Sequence, residues 1–187
     1  MTREILSTAF LLGFIKAAAL TNSVTPAPVA PTPHVIQDTP PNLATIKPLD
    51  PANVIKDNEG FRPTNYLDTL KKPTIGYGSR NPAWLAKGQI TEPEAATELT
   101  NHLNGVTGNL QSVIGTNRFN SFPNKAQVAL QDLGYQTGDI AKWPKLVGNA
   151  QTNNFAGMAQ EIEHSKVNSQ TPDRNSRRIQ MMMEAGQ

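Results

Sequence analysis

Glu59, Asp68 and Thr74 supply a carboxyl group, a second carboxyl nine residues on, and a hydroxyl six residues after that. They lie in the segment Glu59-Gly60-Phe61-Arg62, Asp68, Thr74-Ile75-Gly76-Tyr77-Gly78. These residue types are what hydrolysis of a glycosidic bond by water requires. One acid protonates the leaving oxygen, while other groups hold and deprotonate a water on the opposite face of the sugar. Each residue also has a plainer reading. Glu59 could be a solvated carboxylate at a helix end, Asp68 an Asx-turn residue, and Thr74 a strand residue paired across a sheet. The three together, at this spacing, favour the chemistry.

The surrounding sequence predicts the elements that would position them. Asp50-Pro51 is an N-cap acceptor followed by proline at the first helical position, so a helix should run through Val54 and Ile55 to Glu59. Gly60 is its expected left-handed stop. Glu59 then sits at the negative end of that helix, where the dipole opposes a further negative charge. Tyr66, Leu67, Ile75 and Tyr77 flank a turn at Lys71-Lys72-Pro73, which predicts a small antiparallel sheet. Beyond it the pattern turns helical. Thr91-Glu92-Pro93-Glu94 reads as a capping box opening a helix with Ala95, Ala96, Leu99 and Leu103. Pro123 opens a second, burying Ala126, Val128, Ala129, Leu130 and Leu133 and ending before Gly138. A third covers Phe155 to Ile162, and Thr171-Pro172 opens a last, basic helix with Arg174, Arg177 and Arg178. The Met181-Met182-Met183 run reads as packing. The predicted fold class is α+β: a small antiparallel sheet lobe beside a mainly helical lobe, with the carboxylates at the junction, where clefts form.

The first fifty residues read as a separate object. Residues 5–20 are apolar but interrupted by Lys16, which is too short and too broken for a membrane span. Three readings of residues 1–21 stand: a docking or anchoring helix, a secretory signal, and a mobile tail. Residues 22–49 carry Pro26, Pro28, Pro31, Pro33, Pro40, Pro41 and Pro48, so they read as an extended linker. Residues 50–187 would form the folded domain.

Composition narrows the function classes. The net charge of +2, from 17 basic and 15 acidic residues, argues against a nucleic-acid partner. No cysteine is present, which excludes disulfides and thiolate metal sites. His34, His102 and His164 lack metal-ligand spacing, so no metal is expected.

The segment from Glu59 to Gly78 resembles the catalytic stretch of the phage-type lysozymes, whose Glu/Asp/Thr triad has this order and spacing. Gly88-Gln89-Ile90-Thr91-Glu92-Pro93-Glu94-Ala95 is similar to the start of that family's long inter-lobe helix. Gln170-Thr171-Pro172-Asp173-Arg174 is similar to its C-terminal Gln-Thr-Pro-x-Arg motif. The resemblance spans about residues 50–183 and implies a two-lobed lysozyme-like fold. It also implies a cofactor-free muramidase acting on bacterial peptidoglycan with inversion of configuration. By resemblance, Glu59 is the general acid, and Asp68 and Thr74 hold and activate the water. Arg174 lies behind Glu59 as charge partner, and Tyr135 and Gln136 line the sugar cleft. Where many members carry histidine after Gly-x-Gly, this chain has Ser79-Arg80, which is expected to lose a stabilising ion pair. The arm lies outside the simplest family pattern. It suits tethering to other virion proteins, or export if residues 1–20 are a signal. The competing class is a non-catalytic virion or wall-binding protein that keeps the lysozyme fold.

Overall fold

The computed structural model of the chain describes residues 47–68 and 70–187. The apolar helix expected over residues 1–21, and all of the proline-rich linker before Lys47, lie outside them.

The first helix, α1 (Pro51–Glu59), starts as its sequence dictates. The Asp50 carboxylate accepts the Ala52 N–H at 2.9 Å, and Pro51 occupies a position that needs no donor. Just upstream, Leu49 is clasped by Asn124, whose side chain accepts the Leu49 N–H at 2.7 Å and donates to its carbonyl at 3.1 Å. Gly60 ends the helix with a positive φ of 68°, but its ψ of 151° lies outside the left-handed helical well. The expected left-handed stop is thus only half met. A strand begins two residues later, so the chain must leave the helix directly into extended backbone.

That strand, β1 (Arg62–Leu67), pairs antiparallel with β2 (Pro73–Gly76), Tyr66 opposite Thr74 and Leu67 opposite Pro73. A bulge between Arg62 and Tyr66 shifts the register. A tighter bridge follows at once, Ile75 and Ser79 exchanging two backbone hydrogen bonds of 2.9 Å. A short helix, α2 (Pro82–Lys87), comes next; the sequence reading has no element there. Its signal is the one used for α1, an N-cap acceptor before proline: Asn81 accepts the Ala83 N–H at 3.0 Å.

The long helix α3 (Glu92–Ile114) opens on the full capping box of Thr91 and Glu94. Its buried residues Ala95, Leu99, Leu103, Val106, Leu110 and Ile114 form one stripe at helical spacing. At about 1.5 Å per residue the helix runs roughly 34 Å, enough to serve two cores. Ala95, Leu99 and Leu103 pack with Ile55, Ile75, Tyr77 and Ile90 in the sheet lobe. Val106, Leu110 and Ile114 pack with Leu130, Leu133, Met158 and Ile162 in the helical lobe.

The helical lobe continues through α4 (Thr116–Ser121), α5 (Asn124–Thr137), a 3-10 turn (Ile140–Lys142), α6 (Pro144–Gln151), α7 (Phe155–Glu163), α8 (Lys166–Gln170) and α9 (Pro172–Ala185). Both α5 and α7 pack against α9. The basic helix expected at the C-terminus is α9, but Arg178 is fully buried rather than on its surface. Asp132 on α5 draws it inward, as described below. Of the methionine run, Met182 is fully buried and Met183 exposed. No helix among the described residues is long and apolar enough to cross a membrane.

Candidate active site

Helix α1 ends at Glu59 and delivers its carboxyl to a cleft of about 720 Å³ between the lobes. Arg174, from the first turn of α9, donates through Nη1 to Glu59 Oε1 at 2.7 Å. Gly78 supports the carboxyl from the sheet side. A Cβ there would lie 3.2 Å from Glu59 Oε2, and φ is 85°, so glycine alone lets the hairpin pass this close.

Arg174 is itself held from behind. Its Nε and Nη2 donate to Asp132 of α5, Nη2 to Oδ1 at 2.6 Å. Asp132 Oδ2 accepts from Nε of Arg178 at 2.6 Å, and Arg178 donates further through Nη1 to Gln136 and Asn175 and through Nη2 to the Asp132 carbonyl. Burial alone would raise the Asp132 carboxyl, but the two guanidiniums outweigh it and hold it below the usual carboxylate range. Every buried side-chain donor and acceptor among the described residues is paired, so the network is complete.

Asp68 follows β1 in the hairpin turn. Its Oδ1 accepts the Leu70 N–H at 2.8 Å and the Lys72 N–H at 2.9 Å, so it is the Asx-turn residue of the plainer reading and also a cleft residue. Its Oδ2 pairs with Arg80 Nη2. The Lys72 amide, then the Arg80 guanidinium and the Leu70 amide, hold the Asp68 carboxyl below the usual range, against the cost of leaving water. The ion pair expected to be lost at Ser79-Arg80 is therefore replaced. Arg80 pairs with Asp68, while the Ser79 hydroxyl donates to Glu98 at 3.0 Å. Thr74, buried beside them, donates its hydroxyl to the Lys72 carbonyl at 3.0 Å and lines the same cleft.

Tyr135 and Gln136, at the end of α5, reach the cleft from the helical lobe. The Tyr135 hydroxyl donates to the Tyr77 carbonyl at 2.5 Å, tying α5 to the hairpin. Its ring packs at a tilt of 40° against His102 of α3, the centroids 4.4 Å apart. Burial pushes the His102 imidazole down, so this cleft residue is neutral near pH 7. Gln136 donates to Thr171 at 3.2 Å and accepts from Arg178, which fixes its amide orientation.

All six residues singled out in the sequence thus border one cleft. The family model described as phage lysozyme matches residues 56–178, more than half of the chain. The chain belongs to the phage lysozyme family. It is accordingly a glycoside hydrolase of the muramidase type, with peptidoglycan as its substrate. Comparison with the curated proteins returns no match.

Sequence reasoning missed three residues around the cleft of this lysozyme. Asp132 had a legible signal, an acid at the buried phase of the stripe formed by Ala126, Ala129, Leu130 and Leu133. Arg178 had a weaker one, a cation one turn after Arg174 on the same helix face. Arg80 had none, because its partner lies in a turn whose shape the sequence does not specify.

Proposed function

We propose that this phage lysozyme cleaves the β-1,4 bond between N-acetylmuramic acid and N-acetylglucosamine, with inversion at the anomeric carbon. Glu59 is the general acid that protonates the leaving oxygen. Asp68 and Thr74 hold the attacking water, and the Asp68 carboxylate takes its proton as the water oxygen bonds to the anomeric carbon and the bond to the leaving oxygen breaks. Arg174 orients Glu59, and Tyr135 and Gln136 form a rigid wall for the glycan. The observation that carries this reading is the contrast between the two carboxyl groups. Glu59 has one fixed partner, Arg174 on Oε1, which leaves Oε2 to reach a leaving group. Asp68 is immobilised by two amides and a guanidinium that favour the charged form. Glu59 keeps an oxygen open towards a leaving group, while Asp68 is held in the charged form that can accept a proton from water, as inverting hydrolysis needs.

The stereochemical test is proton NMR of the first product formed from a soluble glycan strand. The α-anomer is expected before mutarotation; the β-anomer would indicate a covalent intermediate and retention.

The arm supports a tethered role, in which the lysozyme is carried in the particle and opens the wall at the start of infection. Removing residues 1–46 is expected to abolish incorporation into virions and leave hydrolysis intact. Loss of export instead would favour an endolysin released at the end of infection.

A further inference from the structure

Asp68 has two carboxylate oxygens with about four acceptor positions. The Leu70 and Lys72 amides occupy two on Oδ1, and Arg80 occupies one on Oδ2. With these partners among the described residues, a water approaching from the cleft meets the remaining position on Oδ2, the oxygen that Arg80 holds. The Asp68 side chain is 17% exposed and borders the cleft.

Arg80 starts from a fixed point. The residue before it, Ser79, is bridged to Ile75 by two backbone hydrogen bonds and tied to Glu98 by its hydroxyl. The Arg80 side chain is half exposed, at 49%, and an exposed ion pair of this kind adds little to folding. Its contribution must be sought in what it does to Asp68.

We infer that Arg80 is a positioning residue for hydrolysis, orienting Asp68 Oδ2 so that its one free acceptor position faces the attacking water. This rests on the reading of Glu59 and Asp68 as the hydrolytic pair. Arg80 acts through Asp68 and not by binding the carboxylates of the wall polymer. Its loss therefore lowers turnover and leaves substrate affinity alone.

The test uses the full chain and soluble, uncross-linked strands of alternating N-acetylmuramic acid and N-acetylglucosamine, with kcat and KM read from new reducing ends. In Arg80→Ala, kcat is expected to fall roughly ten- to a hundredfold with KM nearly unchanged, the cost of a misdirected catalytic group. Arg80→Lys, which keeps the charge and one donor, recovers most of that loss, and thermal unfolding moves by no more than a few degrees in either variant. Should the alanine variant fail to fold, Arg80→Gln carries the same comparison. A rise in KM as large as the fall in kcat overturns the inference and makes Arg80 a substrate contact. So does an unchanged kcat, or a lysine variant as impaired as the alanine one. Failure of the underlying reading looks different: wild type would release no reducing ends, or Glu59→Gln would match it.

Discussion

Burying Asp132 without partners would cost several kcal/mol, because a lone carboxylate loses its hydration and gains nothing in return. With Arg174 and Arg178 both bonded to it, the carboxylate becomes the hub that fixes Arg174, and Arg174 in turn fixes Glu59. The three charges behind Glu59 sum to a single positive one, so Arg174 orients the acid without the full field of two guanidiniums. Replacing Asp132 with alanine leaves Arg178, fully buried, without its anion. The expected loss is about 3–5 kcal/mol of unfolding free energy, measured by urea denaturation. A loss below about 1 kcal/mol, the range of exposed pairs, would mean the network is far wetter than its burial indicates. The phase of Asp132 on its helix was readable in the sequence, but its pairing with Arg174 and Arg178 was not. Arg178 looks like any surface cation until Asp132, distant in sequence, is brought beside it.

Among the elements, the signals written into local sequence were the legible ones. Asp50-Pro51 and the Thr91–Glu94 capping box start their helices where the sequence places them, because each supplies its own acceptor and needs no distant partner. Asn81-Pro82 carried the same information and went unread. Gly60 was half legible, since its positive φ follows from its type but its ψ is set by the strand that follows. The hairpin has its own requirement at Gly78. In Gly78→Ala the new methyl would press on Glu59 Oε2, at a φ that disfavours any side chain. Activity is therefore expected to fall by more than the change in melting temperature explains, a comparison made by assaying well below that temperature. At the head of α3, Thr91→Ala is expected to cost about 1 kcal/mol through the lost cap, with catalysis unchanged below the melting temperature.

For the molecule as a whole, the α+β class and two-lobed plan were legible because a strand–turn–strand stretch is followed by helices with local start signals, in the order the lysozyme resemblance implies; that α3 runs on past Leu103 to serve both cores was not. The ion-pair network behind the site was not, since it depends on how α5 and α9 are packed. That network gives the fold a defined response to acid. Asp132 titrates lower in the folded protein than when unfolded, so its contribution is complete above its unfolded value of about 4 and is lost as pH falls through the folded one. Glu94, pushed down to about 2 chiefly by Lys87, acts in the same direction. The melting temperature should decline gently below about pH 6.5, where His102 is protonated more readily in the unfolded chain than in the fold, and fall more steeply below about pH 4 as the carboxylates are protonated. A second Asp132→Asn variant should show a shallower acid slope on top of a lower starting stability.

The central claim is that Glu59 donates the proton that breaks the glycan. The direct measurement is release of new reducing ends from purified Gram-negative peptidoglycan by the wild type and by Glu59→Gln. Glutamine keeps the shape and can still accept from Arg174, but it cannot donate the proton. The account predicts steady release by the wild type and a fall of roughly 10²–10⁴-fold in the variant, with thermal unfolding little changed. A glutamine variant within about tenfold of the wild type would contradict it, since so small a loss, roughly 1.4 kcal/mol in barrier, is less than removal of a general acid produces. Two folded proteins that bind the wall and cleave nothing would contradict it as well, and would assign the fold to attachment.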